Sequence, residues 1–176
     1  MRRLVRLLVA CALTTSLGGC YQLASARHAA AQQAIQRELA ANNRVKAEVL
    51  LTILALEEYA VDHGGVYPPS DGLVADLSER YLPDGMMPAN PWVPPGLRQG
   101  NAVGVNALLA AAGKQPTPVG TALGAGKTAD SSQFDALTFG AVIYDYEPRS
   151  QNYVIYGIGR RGDQAIVSYV WTNAKP

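Results

Sequence analysis

The sequence predicts an α+β fold: one long N-terminal helix packed on a small, three-stranded antiparallel sheet, with a long irregular loop region between them. Three observations carry this expectation. Gln22–Asp62 contains neither Pro nor Gly and is rich in Ala, Gln, Glu, Leu and Arg, which are good helix formers. Three short runs near the C-terminus, Gly140–Tyr146, Asn152–Gly157 and Ala165–Trp171, are dense in Val, Ile and Tyr and separated by turn clusters. The stretch between helix and strands is dominated by Pro, Gly, Ala, Thr and Ser.

The predicted helix has two unlike halves. Up to about Asn43 it is polar and alanine-rich, with Leu23, Ile35 and Leu39 as its large apolar residues. Beyond that point Val45, Val49, Ile53, Leu56 and Ala60 recur at spacings of four, four, three and four, which places them on one helix face. Leu50, Leu51 and Leu54 are expected to widen that face, so that much of the circumference is buried. His63-Gly64-Gly65 supplies the stop, since glycine readily takes the left-handed conformation that closes a helix.

A turn-rich passage follows, and then Leu73–Tyr81 can form a short helix, with Ser70 or Asp71 as N-cap candidates. Leu82–Gly96 holds five prolines and no periodicity, and reads as a loop. Arg98–Asp135 reads as a flexible insertion in which Val105–Ala112 alone looks mildly helical. In the three terminal runs, joined at Glu147–Gln151 and Arg160–Asp163, short loops imply an antiparallel meander, with Val49, Ile53 and Leu56 packing on one of its faces. By strand parity Tyr144 and Tyr146 share a face, whereas Tyr153 and Tyr156 point to opposite faces. The tyrosines are expected chiefly as core and loop packing, an exposed binding surface being the alternative.

The N-terminus carries a different signal. Arg2, Arg3 and Arg6 precede an apolar or small segment, Leu7–Leu17, and the run ends Leu17-Gly18-Gly19-Cys20. A charged start, an apolar stretch and a small-residue cleavage site are the layout of a secretory signal, and the apolar stretch is shorter than the roughly 20 residues a membrane span needs. Leu17–Cys20 resembles the lipobox of bacterial lipoproteins. The resemblance implies diacylglycerol attached through a thioether to Cys20, cleavage before it, and acylation of the new amino terminus. Three chains on Cys20 would anchor the protein stably, where one chain alone binds membranes only marginally. Tyr21 occupies the place where Asp favours inner-membrane retention in enteric bacteria, so the expected location is the cell envelope, facing the periplasm, with the outer membrane favoured over the inner.

The 176-residue chain is thus expected to divide into a signal peptide at 1–19, a polar helical stalk at 20–44 and an α+β domain at 45–176 with its insertion at about 98–135. Twelve basic residues remain once the three of the signal are set aside, against fourteen acidic ones, a formal charge of −2. No basic patch points to nucleic acid. Cys11 leaves with the signal and Cys20 is taken by lipid, so no thiol remains for a disulfide or a cysteine metal site.

Several segments of the domain then resemble the globular part of the type II secretion major pseudopilin. Ala55–Pro68, with its Tyr59, Asp62, Gly64 and Tyr67-Pro68, is similar to that family's helix end and the Tyr-Pro pair that opens its loop. Asp71-Gly72-Leu73, Tyr81-Leu82-Pro83 and Asn90-Pro91-Trp92 follow in the family's order. Tyr153–Gly159 and Val170-Trp171 resemble its closing sheet. The resemblance implies a pilin-like domain used for contact with other proteins. Two departures qualify it. Residues 22–44 carry Gln32, Gln33, Arg37, Glu38 and Arg44 where a pilin has a membrane-anchoring apolar helix, and such residues are costly in hydrocarbon. Arg160-Arg161-Gly162-Asp163 stands where the family binds calcium, a cation that wants six to eight oxygen ligands.

Catalytic chemistry is not expected. Gly124-Ala125-Gly126-Lys127-Thr128 evokes a phosphate loop, but Thr121 stands where the pattern requires its first Gly, so a flexible loop is the better reading. Asp62-His63 and the distant His28 accompany no motif-placed nucleophile and no metal-ligand spacing. His63 is expected to serve the helix C-terminus, and Glu57-Glu58 to be a solvated helix edge. No catalytic residue, metal or cofactor is therefore predicted, and a hydrolase has no constellation behind it. The expected function is a non-enzymatic, lipid-anchored envelope protein, a structural or accessory component of a secretion or pilus-like assembly, whose partners are membrane lipid through acylated Cys20 and other envelope proteins. The alternative is a lipoprotein that binds a small molecule or carbohydrate beneath the 82–135 loops.

Overall fold

The structure, a computed structural model, describes the backbone of residues 2–70, 73–78, 80–87, 90–93, 102–104, 113 and 139–174, with side chains from Ser25 onward (Asp84, Ala102 and Val103 excepted). Helix α1 (Arg2–Asp62) is followed by α2 (Leu73–Ser78), a 3-10 turn (Pro83–Gly85), and strands β1 (Ala102–Gly104), β2 (Val142–Glu147), β3 (Asn152–Arg161) and β4 (Gln164–Thr172). The chain forms two compact units, residues 1–39 and 40–176. In the first, every described side chain but Glu38 is exposed, Ile35 and Leu39 included. Among the described residues no helix is long and apolar enough to cross a membrane.

In the second unit the expected helix-on-sheet plan is present. Val45, Val49, Ile53, Leu56 and Ala60 are all buried, and Val49, Ile53 and Leu56 join Tyr144, Tyr146, Tyr153 and Ile155 in one core cluster. Full burial of a side chain such as Leu56 contributes about 1.5–3 kcal/mol. The widening of this face differs from expectation. Leu50, Leu51 and Leu54 are exposed, while Glu48, Thr52 and Ala55 are buried on the opposite flank. The strands lie against the flank that holds Asn42, Val45, Val49 and Glu57; the other flank is buried as well, and there the Thr52 hydroxyl donates to the Glu48 carbonyl at 2.8 Å. Leu51 and Leu54 lie nearly half a turn from the centre of the Val45–Leu56 stripe.

α1 ends where the glycines predict. Gly64 and Gly65 have φ of +68° and +89°, and the Gly65 N–H donates to the Ala60 carbonyl at 2.7 Å, a six-to-one bond of the Schellman type. α2 is shorter than expected, and its capping candidate Asp71 lies outside the described residues, as do Val105–Ala112 and Gly124–Thr128.

The three expected strands form an antiparallel meander in the order β2-β3-β4. Tyr146 lies opposite Tyr153, and Tyr144 opposite Ile155, facing α1; Ile143 lies opposite Tyr156 on the far face with Ile158 and Ala165. Strand parity is thus as read from sequence, and the tyrosines are packing residues: Tyr144, Tyr153 and Tyr156 are fully buried. The sheet also gains an element that the sequence reading did not assign. β1, inside the segment expected as a flexible insertion, pairs parallel with β2, from Ala102↔Val142 to Gly104↔Tyr144. Three residues are too few to reveal a period, and the partner strand is far along the chain.

Gly157 sets how close helix and sheet come. A Cβ there would sit 2.9 Å from Val49 Cγ2 and 3.0 Å from Val45 Cγ1. The bare backbone of β3 lets the two valines lie directly on the strand.

Candidate functional site

The lipidation candidate Cys20 falls within α1, and its side chain lies outside the described residues. The remaining chemistry of interest gathers around the C-terminal turns of α1. Glu57, expected as a solvated edge, is instead the centre of a hydrogen-bonded lock. Its Oε1 accepts from the Tyr153 hydroxyl at 2.8 Å, and its Oε2 accepts from the Tyr67 hydroxyl at 3.0 Å. Tyr67 and Tyr153 also meet edge-to-face with centroids 4.8 Å apart. Burial, and then the Glu57 carboxylate that a phenolate would face, push the Tyr153 hydroxyl far above its ordinary range; burial likewise raises Tyr67. Both are donors at any ordinary pH. Glu58, the next residue, is exposed as expected.

The same lock holds the loop after the helix. The Tyr67 N–H donates to Gln151 Oε1 at 3.0 Å, the Tyr146 hydroxyl donates to the same oxygen at 3.0 Å, and the Tyr144 hydroxyl donates to the Pro68 carbonyl at 3.1 Å. Gln151 takes φ of +55° to reach this position from the β2–β3 turn. The Tyr67-Pro68 pair is therefore laid along the sheet by backbone and side-chain bonds together.

An open cleft of about 390 Å³ lies beside the lock, lined by Leu54, Glu57, Val61, Asp62, Arg80 and Tyr81 among others. Asp62 accepts from Arg80 at 3.2 Å and from the Tyr81 hydroxyl at 3.1 Å. His63 stacks on Tyr59 with centroids 3.8 Å apart, and its Nδ1 lies 2.8 Å from the Tyr59 carbonyl, which can only accept, so Nδ1 carries the proton. His63 thus stands just past the last residue of the helix, where its ring bonds a terminal carbonyl that its own backbone N–H also reaches at 3.0 Å. Among the described residues no group of three or more His, Cys, Asp or Glu is placed to hold a metal ion. The cleft offers apolar surface, an aromatic wall and two carboxylates, Glu57 and Asp62, that their own donors hold.

At the other end of the sheet, Asn42 and Arg160 exchange two bonds. The Asn42 amide donates to the Arg160 carbonyl at 2.8 Å and accepts from its N–H at 2.9 Å. The Arg160 guanidinium lies over Trp92 and Phe139 and pairs with Asp163 at 3.1 Å. The turn Gly162-Asp163 is thus a two-residue hairpin whose one carboxylate faces Arg160. Asn90 is buried; it donates to the Phe139 carbonyl at 2.6 Å and accepts from the Trp92 N–H at 2.9 Å. Sequence spacing had no means of finding the Glu57–Tyr153 or Asn42–Arg160 pairs, whose members are 96 and 118 residues apart. The one available signal was Asn42 itself, a poor helix former standing inside a helix.

No protein-family model, no curated protein and no solved structure matches the chain.

Proposed function

We propose that the chain is a lipid-anchored, non-enzymatic envelope protein, tethered through acylated Cys20 and facing the periplasm, the outer membrane favoured over the inner. Its α+β domain is read as pilin-like and as a structural or accessory component of a secretion or pilus-like assembly. The observation that carries the reading is the sequence Leu17-Gly18-Gly19-Cys20 behind a basic and apolar leader. Two further features support it. Helix α1 closes at Gly64-Gly65 and hands directly to a Tyr67-Pro68 loop pinned to a meander, the arrangement that the pseudopilin resemblance implies. The lock and cleft at that end offer contact surface, with Glu57 and Asp62 already held by tyrosine and arginine partners.

Two measurements test it. Cys20→Ser blocks lipid attachment, and the protein is expected to leave the fraction that requires detergent for release; a variant held as firmly as the parent refutes the anchor. A pull-down from envelope membranes with the intact protein is expected to recover components of a secretion or pilus-like machine. Recovery of the protein without any such component refutes the specific role while leaving the anchor standing.

A further inference from the structure

The outward face of α1 in the second unit is more apolar than a solvated helix requires. Leu50, Leu51, Leu54 and Val61 are exposed by 42%, 38%, 61% and 81%. Ala47, Leu50, Leu54 and Val61 follow one another at three, four and seven residues, so they form a single row along the helix. Glu57, which would interrupt that row, is turned aside by its bonds to Tyr67 and Tyr153. The row points away from the sheet, and from Asn43 to Val61 it runs about 27 Å at 1.5 Å per residue.

The charges beside this row are not evenly spread. Arg44 lies at its N-terminal end and Glu58 at its C-terminal end, both exposed; Lys46 leans over Tyr169, and Asp62 is paired with Arg80. We propose that this face pairs with the same face of a second copy of the chain, the two helices running antiparallel. In that register Leu50 of each copy lies against Leu54 of the other. The two Leu51 side chains meet beside the twofold axis, Arg44 of each copy faces Glu58 of the other, and Asn43 lies near Val61. A parallel pairing would stack Glu58 beside Glu58 and Arg44 beside Arg44. Flanking charges set the orientation of paired helices in this way, since like charges brought together are penalised. A twofold contact uses the same patch on both copies and closes on itself, which a row with opposite charges at its two ends satisfies only when reversed.

The test uses differently tagged full-length Asn43→Cys and Val61→Cys variants, produced together in membranes and treated with a short bismaleimide. The parent chain controls for reaction through Cys11 or Cys20. The expected result is a crosslinked species carrying both tags, with neither variant crosslinking to itself. Adding Leu54→Glu, an outward substitution that should leave the thermal melt unchanged, is expected to lower the crosslinked yield about tenfold. Glu58→Arg should lower it similarly, and combining it with Arg44→Glu should restore it. Val61→Cys joined to Val61→Cys overturns the antiparallel pairing. Absence of the mixed species, indifference to Leu54→Glu, or failure of the charge swap to restore the yield overturns the proposal as a whole.

Discussion

Glu57→Ala is expected to be among the most damaging single changes on α1, although sequence alone places this residue on a solvated edge. The side chain accepts a 2.8 Å bond from Tyr153, which is fully buried, and a 3.0 Å bond from half-buried Tyr67. Hydrogen bonds to a charged group contribute about 1.5–3 kcal/mol each, and a buried donor left without an acceptor costs about 1–3 kcal/mol. Tyr67 can turn toward water once Glu57 is gone, whereas Tyr153 cannot, so the larger part of the loss falls on Tyr153. Taking about 2 kcal/mol for the Tyr153 bond, about 1 kcal/mol for its stranded donor and nothing for Tyr67 gives about 3 kcal/mol, which for a unit of this size lowers the melting temperature by about 10 °C. Glu57→Gln keeps a neutral acceptor and should lose about half as much. The decisive assay is a double-mutant cycle with Tyr153→Phe, read by denaturant unfolding. The two changes remove the same bond, so their combined cost should fall short of additivity by about 1–2 kcal/mol. A cycle that closes within about 0.3 kcal/mol of additivity would refute the lock as described.

Three other outcomes follow from the same packing. Asn90→Ala removes both the donor to the Phe139 carbonyl and the acceptor for the Trp92 N–H, and should cost about 2–4 kcal/mol in a denaturant titration. Gly157→Ala inserts a methyl group against Val45 and Val49 and should cost about 1–3 kcal/mol, part of which Val49→Ala is expected to restore when the two are combined. Stability should also fall in alkali. Burial, with a smaller push from Asp145, raises Tyr156 from its ordinary 10 to about 12. A group whose proton is held more tightly in the folded state stabilises it fully below pH 10 and loses that contribution as pH rises toward 12, at about 1.4 kcal/mol per pH unit. Among the described residues the buried Tyr156 hydroxyl has no hydrogen-bond partner, so Tyr156→Phe should leave neutral-pH stability unchanged or raise it by about 1 kcal/mol. The same variant should lessen the alkaline slope by one tyrosine's share, since Tyr144 and Tyr153, raised by burial too, still supply theirs, as followed by unfolding midpoints between pH 9 and about 12.

What was legible in the sequence was whatever repeats with a backbone period. The Val45–Ala60 stripe, the Gly64-Gly65 stop and the parity of Tyr144, Tyr146, Tyr153 and Tyr156 all follow from geometry that a few neighbouring residues determine. The errors on α1 arose where hydrophobicity was equated with burial. Leu50, Leu51 and Leu54 are as apolar as Leu56, but periodicity does not say which flank of a stripe the rest of the fold will cover, and here Glu48, Thr52 and Ala55 are the buried ones. β1 escaped notice because three residues carry no period, and it is held by a parallel ladder to a distant strand. The Glu57 lock was invisible for a related reason: its members come from α1, the following loop and β3, and only the tertiary fold brings them together.

The two features of α1 that sequence and structure separate, a polar first half and an outward apolar row in the second, bear on the kind of assembly the chain could join. A helix that crosses a bilayer needs about twenty consecutive, mostly apolar residues. Residues 25–39 here present exposed side chains with the exception of Glu38, among them Gln32, Gln33 and Arg37. The apolar surface that remains, from Ala47 to Val61, is short and has opposite charges at its two ends. Such a row saturates after one partner, because a reversed second copy consumes the whole surface and leaves no equivalent patch for a third. The pairing proposed above would leave α1 no second patch through which to grow, in keeping with the tethered accessory proposed for the chain.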